Sequence, residues 1–145
     1  MDADLEGANL YGAELTGANL TGANRNSADL NEVNLSGADL KDADLSGVTL
    51  TKANLTEATL TDADLTEADL KGADLSRVEL RGATLYGANL IEANLTEASL
   101  YANLTEASLN GANQSGADLS GADLHRANLA GSNLIEASLS GACLL

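Results

Sequence analysis

Ala8-Asn9-Leu10-Tyr11-Gly12, repeated as Ala18-Asn19-Leu20-Thr21-Gly22, is the stretch that decides how this chain folds. Both segments are one five-residue phrase, A-[DN]-L-x-x, and the phrase fills the chain. With the Leu position taken as centre, Leu stands at 5, 10, 15 and every fifth residue to 100, except at Arg25. One residue is then missing. Centres resume at Leu104 and run every five residues to Leu144, except at Gln114. Two positions before each centre sits Ala, replaced only by Val33, Val48, Val78 and Ser132. All 14 glycines lie two positions after a centre. A strict period running through the whole chain predicts a solenoid, a stack in which each coil touches only its neighbours.

Two secondary structures compete for the phrase. Ala and Leu favour helix. A period of five, however, advances about 500° round a helix, or about 140° after one full turn. Successive Leu residues would then spiral over the whole surface and form no apolar stripe. The Thr, Asn, Asp, Ser and Gly at the other positions weaken helix further. Alternation within a short strand does place the centre and the Ala two before it on one face. The next unit begins after five residues rather than four, so the chain must turn once per unit. Four sides and four turns close a square coil of about 20 residues, stacked on the next at about 4.8 Å by parallel ladders.

The phrase resembles the consensus of the pentapeptide repeat family, and the resemblance covers essentially the whole chain. It implies an all-β fold, a right-handed quadrilateral parallel β-helix with four pentapeptides per coil. For residues 1–145 that means a single β-helix of about seven coils, roughly 35 Å long at the ladder spacing. Glycine two after a centre suits a type II turn, which needs φ > 0 there. The corners that carry Lys52, Glu57, Asp62 and Glu67 instead of glycine are expected to turn differently.

Composition narrows function. The formal net charge is −15. That argues against nucleic acid or anionic lipid as a direct ligand and permits basic partners, or partners that normally bind DNA. No apolar run approaches the ~20 residues of a membrane span, and the repeat starts at once after Met1 with no signal-peptide core. A cytoplasmic location is expected. The lone Cys143 excludes an internal disulfide and any multi-cysteine metal site. There is no Pro, Phe or Trp, so the core is built of small repeated side chains.

Catalytic residues, cofactors and metals are all expected to be absent. His125 is the only histidine and points outward beside Asp123 and Arg126. No zinc set or nucleophile–base pair accompanies it. A regular prism also offers no cleft in which two carboxylates would sit in different environments.

Departures from the repeat carry the remaining information. Arg25 in a Leu column is expected to bulge locally towards solvent or Asp29, because a buried unpaired guanidinium costs several kcal/mol. Gln114 is expected to bond to backbone or to a trapped water. The deletion lies in residues 101–104. Within a strand it would flip the side chains, so the corner at Tyr101 is expected to absorb it.

Folding the sequence modulo one coil gives four faces with acids on all of them. The most acidic carries Asp4, Glu6, Asp44, Asp64, Glu67, Glu106 and Asp123 against Arg25 and Arg126. Another carries an Asn column of Asn34, Asn54, Asn94, Asn113 and Asn133, interrupted by Asp74, which is expected to bond along the stack. Tyr86, Ile91 and Tyr101, within about one coil of one another, form one candidate interface. The apolar C-terminal end, Cys143-Leu144-Leu145, forms another and suits an end-to-end homodimer.

Three functional readings follow. The first is a non-enzymatic repeat scaffold or protein-interaction module, with a protein partner or itself as ligand. The second comes from the resemblance, since some family members look like duplex DNA and bind DNA gyrase or related type II topoisomerases. This chain lacks the Phe centres and projecting loops of those members. The third is an excised or engineered repeat segment without activity of its own.

Overall fold

The computed structural model describes residues 8–23 and 28–144; Arg25 and Leu145 lie outside the described residues. Strand pairing consists of single parallel bridges, one per pentapeptide, and the partner is always one coil away. Asn9 pairs with Asp29, Glu14 with Asn34, Asn19 with Asp39 and Asp44 with Asp64, each 20 residues apart. These four series define four faces, named here after Leu30, Leu35, Leu40 and Leu45. No helix occurs among the described residues.

Packing follows from the phrase. From Ala28 to Leu124 the centres and the Ala or Val two before them are buried and form one continuous axial core. Each buried Leu contributes roughly 1.5–3 kcal/mol, offset by the entropy of ordering its coil. The coils at the two ends are more open: Leu10, Leu15, Leu20, Leu129 and Leu134 are only partly buried.

The backbone accounts for the remaining letters of the phrase. In the unit Ala88–Glu92, Leu90 N–H donates to Ser108 C=O (2.7 Å) and Glu92 N–H to Asn110 C=O (2.9 Å) in the next coil. Asn89 N–H donates back to Ala68 C=O (2.9 Å), and Ala88 N–H closes the turn onto Leu85 C=O (3.1 Å). That leaves Ile91 N–H, which the ladder does not reach. The side-chain Oδ1 of Asn89 accepts it at 3.2 Å. Every N–H of the unit is thereby paired, as buried or half-buried backbone requires. Asp or Asn before the centre is the residue type that closes this account, through a side-chain-to-backbone turn.

The corners at Lys52, Glu57, Asp62 and Glu67 do not turn differently. Their φ values are 58°, 59°, 58° and 57°, against 63° at Gly12 and Gly17. All adopt the left-handed conformation at the third turn position, the signature of type II. The cost of that conformation for an L-residue is about 1–2 kcal/mol. The ladder bonds on both sides of the corner over-determine the turn and outweigh that cost. Glycine has a second use in the stack. The stem of Lys52 lies over Gly72, that of Glu67 over Gly87 and that of Glu97 over Gly116. A bare glycine in one coil makes room for the long side chain of the coil before it.

At the deletion the register changes. Glu79 pairs with Ser99 at 20 residues, but Thr84 pairs with Asn103 and Ser99 with Asp118 at 19. The strands on either side keep their inward and outward faces: Leu100 and Leu104 are both buried. The corner at Tyr101 absorbs the loss, with no backbone bond closing the turn onto Leu100 C=O.

Gln114 is the buried polar side chain of the core, and neither its Nε2 nor its Oε1 has a hydrogen-bond partner. The expected bond to backbone does not form. The carbonyls beside it are already engaged: Gln114 C=O accepts the turn bond from Ala117 N–H (3.0 Å), and Ala112 and Asn113 C=O accept ladder bonds from Asn133 N–H (2.9 Å) and Leu95 N–H (2.7 Å).

Candidate functional site

The outer surface is built by the residue before each centre and the two residues after it. On the Leu35 face the Asn column bonds along the stack. Asn54 Nδ2 donates to Asn34 Oδ1 (3.2 Å), Asn94 Nδ2 to Asp74 Oδ1 (3.0 Å), and Asn133 Nδ2 to Asn113 Oδ1 (3.1 Å). Each amide donates towards the preceding coil. Asp74, as a carboxylate, has no proton to donate to Asn54, so the ladder breaks there.

Cations are few, and among the described residues three are ion-paired: Lys41, Arg77 and Arg126. Arg77 spans three coils at one corner, with Nη1 3.2 Å from Glu57 Oε1 and Nε 2.9 Å from Glu97 Oε2. Arg126 Nη1 lies 3.2 Å from Glu106 Oε1, while Tyr86 Oη donates to Glu106 Oε2 at 3.0 Å. The Tyr86 hydroxyl and then the Arg126 guanidinium hold the Glu106 carboxyl below the usual carboxylate range, and the same carboxylate raises the Tyr86 phenol. Among the described residues most acids have no such partner. On the Leu45 face Asp44 and Asp64 are bridge partners in adjacent coils, and each is satisfied only by its own corner: Asp44 by Ser46 and Asp64 by Thr66. Asp123 accepts the His125 N–H at 3.0 Å in the same way.

Tyr86, Ile91 and Tyr101 occupy three successive corners rather than one face, as the 20-residue register requires. Tyr101, 57% exposed, and Tyr86, 39% exposed, stand at the two corners bounding the Leu45 face. Ile91 is half-buried at the next corner on. At the C-terminal end Cys143 is exposed and Leu144 is 56% exposed. Among the described residues no three His, Cys, Asp or Glu side chains group as a metal site would require.

The feature missed in the sequence is a notch. Where the corner residue after Tyr101 is absent, an open cavity of about 250 Å³ is lined by Gly82, Thr84, Tyr101, Asn103, Gly121 and Asp123. The signal was present modulo one coil, since the corner positions before and after the gap, Gly82 and Gly121, are both glycine.

Comparison with known proteins places these features. A model of pentapeptide repeats matches the chain with 8 copies, over residues 1–37, 38–77, 63–101, 71–113, 101–134 and 115–144. A pentapeptide repeat protein from the cyanobacterium Cyanothece 51142, Rfr23, is similar in structure with a TM-score of 0.59 and 38% identity. That match covers 66% of this chain and 63% of the Cyanothece protein. A pentapeptide repeat protein of the Arabidopsis thaliana thylakoid lumen gives a TM-score of 0.53 and 39% identity, over 63% of this chain and 65% of that one. The chain thus spans just under two thirds of both relatives. Trypsin-treated QnrB1, a plasmid-mediated fluoroquinolone resistance protein, matches over 96% of this chain and 80% of its own, with a TM-score of 0.64 and 22% identity. That likeness concerns the fold alone. A comparison with curated protein sequences finds no match. The phrase repeated along the chain, the coil-to-coil bridge register and the family match lead to one conclusion: this chain belongs to the pentapeptide repeat family.

Proposed function

We propose that this chain is a non-catalytic interaction rod, right-handed and about seven coils long, whose Leu45 face binds a basic protein. The observation that carries the reading is the uncompensated charge. The chain has 22 acids against 7 bases, and Arg77 and Arg126 are already held by Glu57, Glu97 and Glu106. The remaining carboxylates stand on rigid, regularly spaced positions. A fixed array of one sign attracts the opposite sign, speeds encounter and sets register more than it adds raw affinity. Tyr86 and Tyr101 at the bounding corners supply the aromatic area that interfaces favour. Site-specific photo-crosslinkers at Tyr86 and, as control, at Ser36 on another corner test the reading. Basic proteins captured from Tyr86 and not from Ser36 support it; equal capture from both refutes it.

A second reading, mimicry of DNA towards a type II topoisomerase, is favoured by the same charge. Gyrase supercoiling in the presence of a molar excess of the protein tests it, and unchanged supercoiling excludes it. Self-association through Cys143 and Leu144 is compatible with either reading.

A further inference from the structure

We propose that the notch at the shortened corner is the anchor point of the interface and takes one arginine side chain of the basic partner. The proposal rests on the interaction-rod reading and names its specificity element. At about 250 Å³ the notch falls below the roughly 300–1,000 Å³ of small-molecule clefts, a size for one side chain. It exists because a residue is missing between Leu100 and Ala102 while the corners before and after it, Gly82 and Gly121, carry no side chain. The walls are a phenol ring, two neutral polar side chains and a carboxylate: Tyr101, Thr84, Asn103 and Asp123.

The ring is a fixed platform. Its Cδ2 and Cε2 atoms occupy the place where a Cβ on residue 121 would stand, so the ring rests on the Gly121 backbone. More than half of Tyr101 is still exposed. A planar guanidinium stacks on such a ring and reaches a carboxylate with a second set of donors. Asp123 provides that carboxylate. The Asp62 carboxylate stands over Gly82, where a Cβ on residue 82 would overlap it. Among the described residues neither acid is ion-paired. Lysine, a compact point charge with no planar face, makes the poorer fit. One like charge opposes the arrangement. Arg81 is exposed, lies one coil before Tyr101 at the same corner, and has no ion pair among the described residues.

The test is an NMR titration of the isotope-labelled full chain with acetyl-Gly-Arg-Gly-amide and its Lys counterpart. The Arg peptide is expected to shift the amides of Tyr101, Asn103 and Gly121 saturably, and the Lys peptide to bind several-fold more weakly. Arg81→Ala should tighten the Arg peptide several-fold, while Tyr101→Ser should abolish the local shifts. Inserting Gly between Tyr101 and Ala102 fills the notch without changing any charge and should also abolish them. Unmoved amides of Leu30 to Leu80 establish that each variant keeps its fold. Shifts spread evenly over the acidic faces, or undiminished by the insertion, overturn the proposal. If the insertion variant still crosslinks its partner through residue 86, the rod reading stands and the notch alone is wrong. Loss of capture from residue 86 in the wild type itself removes the rod reading.

Discussion

Replacing Gln114 by Leu is the perturbation whose sign the core dictates most clearly. The side chain is fully buried, and both polar atoms lack a hydrogen-bond partner. An unsatisfied buried amide costs about 1–3 kcal/mol. Leu restores the residue that fills the neighbouring centres Leu95 and Leu134 of the same column. The volume change is small, so repacking should return less than about 1.5 kcal/mol of that gain. The net expectation is a stabilisation of about 1–2 kcal/mol. For a chain of this size each kcal/mol moves the melting temperature by about 2–4 °C. Thermal melts followed by circular dichroism should therefore show a rise of roughly 2–8 °C. An unchanged or lower melting temperature would mean that the Gln114 amide is hydrogen-bonded in the core, and the premise of an unsatisfied side chain would be wrong.

The other predictions test the corners and the surface. Asn89→Ala removes the acceptor for Ile91 N–H and the donor to Asp69 Oδ1 (2.9 Å), and should destabilise by about 1–2 kcal/mol in a urea melt. Thr59→Asn supplies the missing acceptor for Thr61 N–H and should stabilise by up to about 1 kcal/mol; slower hydrogen exchange at Thr61 is the direct readout. Glu106 should titrate below a peptide glutamate and move back up in Tyr86→Phe. Because its folded pKa is the lower one, its contribution to stability is present above the unfolded pKa and is lost as pH falls through the folded value. Sedimentation of the wild type beside a Leu144→Lys, Leu145→Lys variant tests end-to-end association: a dimer that survives both substitutions places its interface elsewhere.

Much of the fold was legible because the phrase repeats one set of requirements. Leu at the centre and Ala two before it announce an inward-facing pair, and the fifth residue announces a corner. The role of Asn89 was less visible. Asp or Asn before the centre reads as an outward ladder, and the bond that matters most runs to the backbone of its own corner. At Lys52 and Glu57 the residue's own preference points to a different turn, but the ladder bonds on both sides fix φ at those corners. Of the two partners expected for Gln114, backbone or a trapped water, the backbone bond does not form, because the carbonyls beside it already accept turn and ladder bonds. For the candidate site, the gap after Leu100 was visible as a missing residue. Its consequence, a notch walled by Tyr101 and floored by Gly82 and Gly121, appears only when residues one coil apart are stacked.

If fixed charge on the Leu45 face binds the basic partner, Asp44, Asp64 and Asp123 allow that charge to be removed without touching the fold. Each carboxylate accepts the N–H two residues on, from Ser46, Thr66 and His125. Asparagine accepts the same bond elsewhere in the stack, as Asn89 does from Ile91 N–H, so Asp44→Asn, Asp64→Asn and Asp123→Asn together keep the corners and remove three charges. The decisive measurement is affinity for the basic protein captured through Tyr86, compared between wild type and this triple variant at physiological ionic strength. The triple variant should melt at or above the wild-type temperature, because the Asp44–Asp64 repulsion is relieved, and should bind at least tenfold more weakly, about 1.4 kcal/mol. Undiminished affinity with the fold intact would contradict a binding role for this charge.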